Sequence, residues 1–137
     1  HYTDYFDNLE NPPEYAKTVL QCLNDKILDF CKSTNDSWNL TSIWFQTYEK
    51  YNNFSVHNHG LEGWSAILYV EFDDSEHSPT TFYSPHLSWE RGTLGQYNSH
   101  VPKVKEGDLV IFPAMIQHEA SSNMSDKRRT IISFNLK

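Results

Sequence analysis

The sequence predicts a mainly β fold, a sandwich, jelly roll or small barrel, with one amphipathic helix packed on an outer face. Three observations carry this. After Asp36, short segments rich in Trp, Tyr, Phe, Ile, Val and Thr alternate with clusters of Asn, Asp, Ser, Pro and Gly, as strands alternate with turns. Before Asp36, one stretch repeats its apolar residues at helical spacing. Aromatic residues make up 15% of the chain and charged residues only 21%, a balance that suits packed β structure and not a disordered chain.

The first ten residues are polar and aromatic without period and read as an arm. Asn11-Pro12-Pro13-Glu14 reads as a helix start, with Asn11 as cap and proline in the first turn. Ala16, Val19, Leu20, Leu23, Ile27, Phe30 and Cys31 then recur every three or four residues, with Lys17, Asn24, Asp25 and Asp29 between them. That pattern predicts a helix over 13–32, stopped by Ser33-Thr34-Asn35-Asp36, with Val19, Leu20, Leu23 and Ile27 covering a sheet. Strands are expected near 38–48, 54–57, 64–72, 80–83, 93–98, 108–112, 118–120 and 130–136. Within 108–112, Val110 and Phe112 should share one face and Leu109 and Ile111 the other.

No linker or repeat divides the chain, so residues 1–137 read as one domain, arm and helix over 1–36 and β structure over 37–137. A chain of 137 residues buries about two-thirds of its unfolded surface, enough for a core without disulfides. Cys22 and Cys31 are nine positions apart on the expected helix, about 13 Å, too far to bridge. A reducing, cytoplasmic setting follows as the expectation, the host's cytoplasm if the gene is viral. A formal net charge of −7 offers no basic patch for phosphate backbones, which argues against a nucleic-acid partner. The longest apolar runs, 66–70 and 109–112, fall far short of the ~20 residues that span a bilayer, so no membrane partner is expected. No signal peptide is apparent, and the chain is expected to be a monomer or homodimer.

Seven histidines stand in the sequence, and their placement matters more than their number. His57 and His59 are one residue apart at the end of an expected strand, so period 2 puts both on one face. His118 follows a strand that ends in Pro113. Imidazoles gathered on the inner wall of a small barrel are what a divalent iron, nickel or zinc ion needs. Any one of them alone would more simply be a rim residue or a hydrogen-bonded core histidine. His1, His77, His86 and His100 lie in polar or proline-flanked stretches and read as solvated, with a substrate contact the alternative for His86.

Near the C-terminus, Arg129, Ile131, Ser133 and Asn135 alternate on one face of a strand, opposite Arg128, Thr130, Ile132 and Phe134. An arginine at the start of an apolar strand can sit deep in a barrel only beside a carboxylate or phosphate. No nearby Asp or Glu has the parity to claim Arg129, which leaves a ligand; Arg128 reads as exposed.

Taken in order, His57-x-His59, Ser65-Ala66-Ile67-Leu68-Tyr69-Val70, Thr81-Phe82-x-Ser84-Pro85, Glu106-Gly107-Asp108-x-Val110-x-Phe112-Pro113-x4-His118 and Arg129-x3-Ser133-Phe134-Asn135 form a longer pattern. It resembles the iron(II)- and 2-oxoglutarate-dependent oxygenases, most of all their small prolyl-hydroxylase-like branch, over roughly residues 40–137. The resemblance implies a double-stranded β-helix (a jelly roll, cupin-like) in which two four-stranded sheets enclose one metal, with the N-terminal helix on one sheet. It implies Fe(II), 2-oxoglutarate as cosubstrate and O2, and a hydroxylase acting on an unactivated C–H bond, best a prolyl residue of a peptide or protein, otherwise a small molecule.

Carried across, His57 and His118 match iron ligands, Arg129 matches the arginine that pairs with the far carboxylate of 2-oxoglutarate, and Tyr69 a tyrosine bonding that carboxylate. Tyr48 is placed like a second cosubstrate tyrosine, and Ser133 can add a hydroxyl. Where the family usually has a carboxylate ligand this chain has His59, so three histidines, an open position, or Glu62 from the next loop compete; three histidines are preferred. The loops 73–79 and 86–95 are expected to face substrate. Two other readings remain. A cupin dioxygenase also fits His-x-His with Gly107, Pro113, His118 and Glu62, but has no need of Arg129. A non-catalytic jelly-roll binding module would use Trp38, Trp44, Trp64 and Trp89 as stacking surfaces.

Overall fold

The computed structural model describes residues 1–7, 11–87 and 97–137. They form strand β1 (Tyr2–Thr3), helix α1 (Tyr15–Thr34) and strands β2 (Leu40–Tyr48), β3 (Phe54–His57), β4 (Trp64–Glu71), β5 (Thr80–Leu87), β6 (Tyr97–His100), β7 (Leu109–Pro113), β8 (Gln117–Ala120) and β9 (Arg129–Leu136). All pairings are antiparallel. One sheet has the order β1-β2-β9-β4-β7 and the other β3-β8-β5-β6. Leaving aside the two-residue β1, this is the expected double-stranded β-helix of two four-stranded sheets. No helix among the described residues is long and apolar enough to cross a membrane.

Period 2 divides each strand of the larger sheet between two cores. Ala66, Phe134 and Leu136, with Leu68, Leu109, Ile111 and Ile132, face α1 and meet its Ala16, Val19 and Leu23. Tyr48, Ile67, Tyr69, Phe112 and Ile131, with Val110, face the second sheet and pack on Ala120, Phe54 and Phe82. The expected split of Val110 and Phe112 from Leu109 and Ile111 is therefore observed. Gly63 turns the chain into β4 at φ +78°, and a Cβ there would lie 2.3 Å from the Leu136 carbonyl oxygen, so glycine is required by the close approach.

Four local expectations change. Leu20 is 36% exposed and lies at the flank of α1; Ala16, Val19 and Leu23 form its buried stripe. Asn11 does not cap the helix, which starts at Tyr15 after Pro12-Pro13 with Glu14 at the N-cap making no side-chain bond. The helix does stop where expected, on left-handed Asn35 (φ 52°), whose N–H reaches the carbonyls of Cys31 and Lys32. The arm is ordered where described: Tyr2–Thr3 pairs with β2, and buried Asp4 accepts from Phe45 N (2.8 Å) and the Tyr15 hydroxyl (2.7 Å). His77 is not solvated but 6% exposed, with Nδ1 accepting from Asp73 N (3.0 Å) and Nε2 donating to Lys127 O (3.1 Å). The expected strand near 93–98 and the segment 88–96, including Trp89, fall wholly or largely outside the described residues.

Candidate metal centre and anion pocket

β3 and β8 pair so that His57 stands directly opposite His118, and Phe82 of β5 flanks His118 on the other side. β3 ends at His57, so His59 is not placed by strand alternation. Its backbone N–H instead donates to Ala114 O (2.9 Å), while Ala114 N–H donates to Gly63 O (3.1 Å), tying the loop after β3 to the turn after β7. The ring centroids lie 5.2 Å apart for His57–His59, 4.3 Å for His57–His118 and 4.9 Å for His59–His118. One ring nitrogen from each lies within 4.8 Å of the others.

Each ring has its Nδ1 engaged away from this point. His57 Nδ1 lies 2.8 Å from Ser55 O, His118 Nδ1 2.9 Å from Ile116 O, and His59 Nδ1 2.8 Å from Ser65 Oγ and 3.0 Å from Asn135 Oδ1. A carbonyl oxygen can only accept, so His57 and His118 carry their proton on Nδ1 and leave Nε2 as a lone pair. Burial favours the neutral rings: it lowers His57 below its ordinary value and takes His59 and His118 down to about 4. Neutral imidazole is the form that binds a metal. The sequence alone suggests that metal affinity fades as pH drops through about 6.5; desolvation moves that limit lower.

The donor set fits a divalent iron-group ion. Nitrogens on bonds of ~2.1 Å sit about 3 Å apart, a spacing that lies inside the 4.8 Å within which these three already fall. Among the described residues no carboxylate joins the group, and Glu62 is exposed in the following loop. That takes away Glu62, one of the residues the cupin reading used.

Arg129 lies on the same face of β9, at the other end of the space between the sheets, opposite Tyr48 in register. It is 2% exposed. Its Nη1 donates to Ser78 O (2.6 Å), its Nη2 to Ser121 O (2.9 Å), and its guanidinium sits 4.5 Å over the Tyr48 ring. No ion pair to a carboxylate is found for it among the described residues, and burial lowers its pKa. Arg128 faces solvent and forms a two-pronged pair with Glu71, both bonds 2.8 Å. Parity separates the two arginines as expected.

The cavity between these ends is lined by Tyr48, Gln46, Thr80, Ile131 and Ser133 together with the three histidines. Its free volume is about 10 Å³, room for about one water, so a larger ligand must displace lining side chains to enter. Burial pushes the Tyr48 phenol up to about 12, opposed by Arg129, so it stays a neutral donor. Tyr69 is buried, its hydroxyl donating to Thr80 Oγ1 (3.1 Å) and accepting from Thr80 N (3.2 Å); burial raises its pKa too.

Residues 73–79, expected to face substrate, lie at the Arg129 end, where Ser78 meets the guanidinium and Lys127 pairs with Asp73 and Glu76. Of the second expected loop, His86 lies in β5 and most of the remainder falls outside the described residues. Trp44 is buried and tilts against His59 at 5.4 Å, and Trp38 and Trp64 pack on the helix-side core, so none of these three forms a stacking platform. Sequence reasoning missed Asn135, Ser65, Gln46 and Trp44 as neighbours of the site. Their inward parity was readable, but the strand opposite them was not.

A family model described as putative 2OG-Fe(II) oxygenase matches residues 42–135. Similar folds occur in crystal structures of the non-heme alpha ketoglutarate dependent epimerase SnoN from nogalamycin biosynthesis (15% identity, 88% of this chain, 55% of that one, TM-score 0.68). They occur also in HygX from Streptomyces hygroscopicus, with nickel and 2-oxoglutarate bound (14% identity, 91% and 69%, TM-score 0.66). A third is a Pseudomonas putida prolyl-4-hydroxylase (15% identity, 93% and 70%, TM-score 0.60). This chain spans little more than half the length of the epimerase. No curated protein sequence matches it.

Proposed function

The chain belongs to the family of putative 2OG-Fe(II) oxygenases, and on that premise we propose that it is an iron(II)- and 2-oxoglutarate-dependent hydroxylase of unactivated C–H bonds, with a prolyl residue of a peptide or protein as substrate. One observation carries the reading: three neutral imidazoles converge on a small cavity that Tyr48 also lines, and over the Tyr48 ring lies a buried arginine with no carboxylate partner among the described residues. A desolvated cation asks for an anion, and a planar guanidinium suits a carboxylate.

In this reading His57, His59 and His118 hold iron(II) through Nε2. With 2-oxoglutarate and O2, the bound metal supplies an oxidant that hydroxylates C–H while 2-oxoglutarate becomes succinate and carbon dioxide. Arg129 takes the far carboxylate of the cosubstrate and sets its distance from the histidines. Tyr48 stays neutral and lends its hydroxyl beside the guanidinium, Ser133 adds a donor from the same strand face, and Tyr69 positions Thr80. Phe82, Phe112 and Ile131 keep water from the chamber. Residues 1–137 act as one domain.

Leu61 (85% exposed) and Met115 (50% exposed) stand on the two loops joined by the hydrogen bond from His59 N–H to Ala114 O. A similar fold in a prolyl-4-hydroxylase supports the prolyl assignment. The test is Fe(II)-dependent succinate release with proline-containing peptides against matched alanine peptides. Stimulation by proline alone is expected. Absence of both metal-dependent succinate release and 2-oxoglutarate binding would remove the reading.

A further inference from the structure

Three imidazoles make a metal site only when each ring turns a lone pair to the same point, and the other ring nitrogen decides this. His57 and His118 are set locally, each by a carbonyl two residues earlier, Ser55 O and Ile116 O. For His59 no backbone carbonyl among the described residues plays that part. Its Nδ1 reaches 76 positions along the chain to Asn135 Oδ1 (3.0 Å), and also contacts Ser65 Oγ (2.8 Å). The Ser65 hydroxyl itself donates to Asn135 Oδ1 (2.8 Å), and Asn135 Nδ2 donates to Ser42 Oγ (2.9 Å) on β2. With its amide nitrogen committed to β2, Asn135 can present only oxygen to the ring.

We propose that Asn135 is the positioning residue of this centre: its amide oxygen, oriented by Ser42 and shared with Ser65, holds His59 in the Nδ1–H tautomer and aims Nε2 at His57 and His118. The inference rests on reading the three histidines as a metal site. Ser65 cannot do this alone, because a hydroxyl can donate or accept and so selects no tautomer. The site gains precision from the element that carries Asn135. β9 is paired on both sides, by β2 and β4, and the same strand face holds Arg129, so one rigid strand sets both ends of the chamber.

The test is Co(II) titration of the apo chain, followed by the visible absorption of the bound ion. Wild type is compared with Asn135→Leu, Asn135→Asp, Ser42→Ala and His57→Ala. Asn135→Leu should weaken Co(II) binding roughly 10- to 100-fold and change the absorption band, as loss of a ligand's supporting hydrogen bond does. Asn135→Asp still accepts from Nδ1–H, so it should bind within a few-fold of wild type. Ser42→Ala frees the amide to turn and should show a smaller loss, and it decides the matter if Asn135→Leu does not fold. Unchanged affinity and spectrum in Asn135→Leu, or in Ser42→Ala where the leucine variant is unfolded, overturns the inference while wild-type binding and its loss in His57→Ala keep the metal reading. An equal loss in folded Asn135→Asp and Asn135→Leu also overturns it. If wild type takes up no Co(II), or His57→Ala binds as tightly, the metal reading and the inference fall together.

Discussion

Replacing Arg129 by alanine removes the one buried cation among the described residues, the group proposed to meet a dianionic cosubstrate. The guanidinium is 2% exposed, and its described partners are two carbonyls, Ser78 O at 2.6 Å and Ser121 O at 2.9 Å, with the Tyr48 ring at 4.5 Å. None of these neutralises it, so a ligand carboxylate gains a charge-assisted bond in a site already stripped of water. Losing one member of such a pair costs about 2–5 kcal/mol, which is roughly a 30- to 5,000-fold weaker affinity. Arg128→Ala is the control. Its pair with Glu71 is half-exposed, at 52% and 43%, and pairs of that kind are worth about 0–1 kcal/mol to the fold. Arg129→Lys keeps the charge without the planar fork and should fall between. The alanine variant also leaves two carbonyls without their donor, so some loss of thermal stability is expected, and titrations belong well below its melting point. Calorimetric titration with 2-oxoglutarate in the presence of Mn(II), with all variants under one set of conditions, reads the difference. Equal losses in the two alanine variants, or no loss in Arg129→Ala, would refute the anion-pocket argument.

His59→Ala should lower Co(II) affinity by more than the ~10–100-fold typical of losing a supporting bond; parent-like affinity would leave a two-histidine site. His59→Asp restores the family's usual carboxylate and should keep the metal affinity that His59→Ala loses. The apo chain should lose stability as pH falls from about 6.5 to about 4, because the unfolded chain takes up imidazole protons there that buried His59 and His118 refuse. Above 6.5 that contribution is fully present, and for His118 alone it is on the order of 3 kcal/mol; urea midpoints that stay flat from pH 7 to 4.5 would contradict it. Gly63→Ala combines φ +78° with a Cβ 2.3 Å from Leu136 O and should destabilise by about 2 kcal/mol or more, read from the denaturant midpoint.

The sequence by itself determined what depends on local backbone geometry. A period of 3.6 marked α1, and a period of 2 assigned Val110 and Phe112 to one core and Leu109 and Ile111 to the other. The same parity separated buried Arg129 from exposed Arg128, since one step along a strand reverses the face. Tertiary structure decided everything that depends on which strand lies opposite. His57 faces His118 only because β3 and β8 pair in that register, and His59, beyond the strand end, is held by Ala114 O. Its partner Asn135 lies 76 positions away, and no spacing rule connects them. Leu20 fits the helical period but stands at the edge of the stripe, and His77 looked solvated until Lys127 and Asp73 enclosed it. Local geometry fixes where a side chain points, whereas what it meets depends on the register of all the strands together, which no single segment encodes.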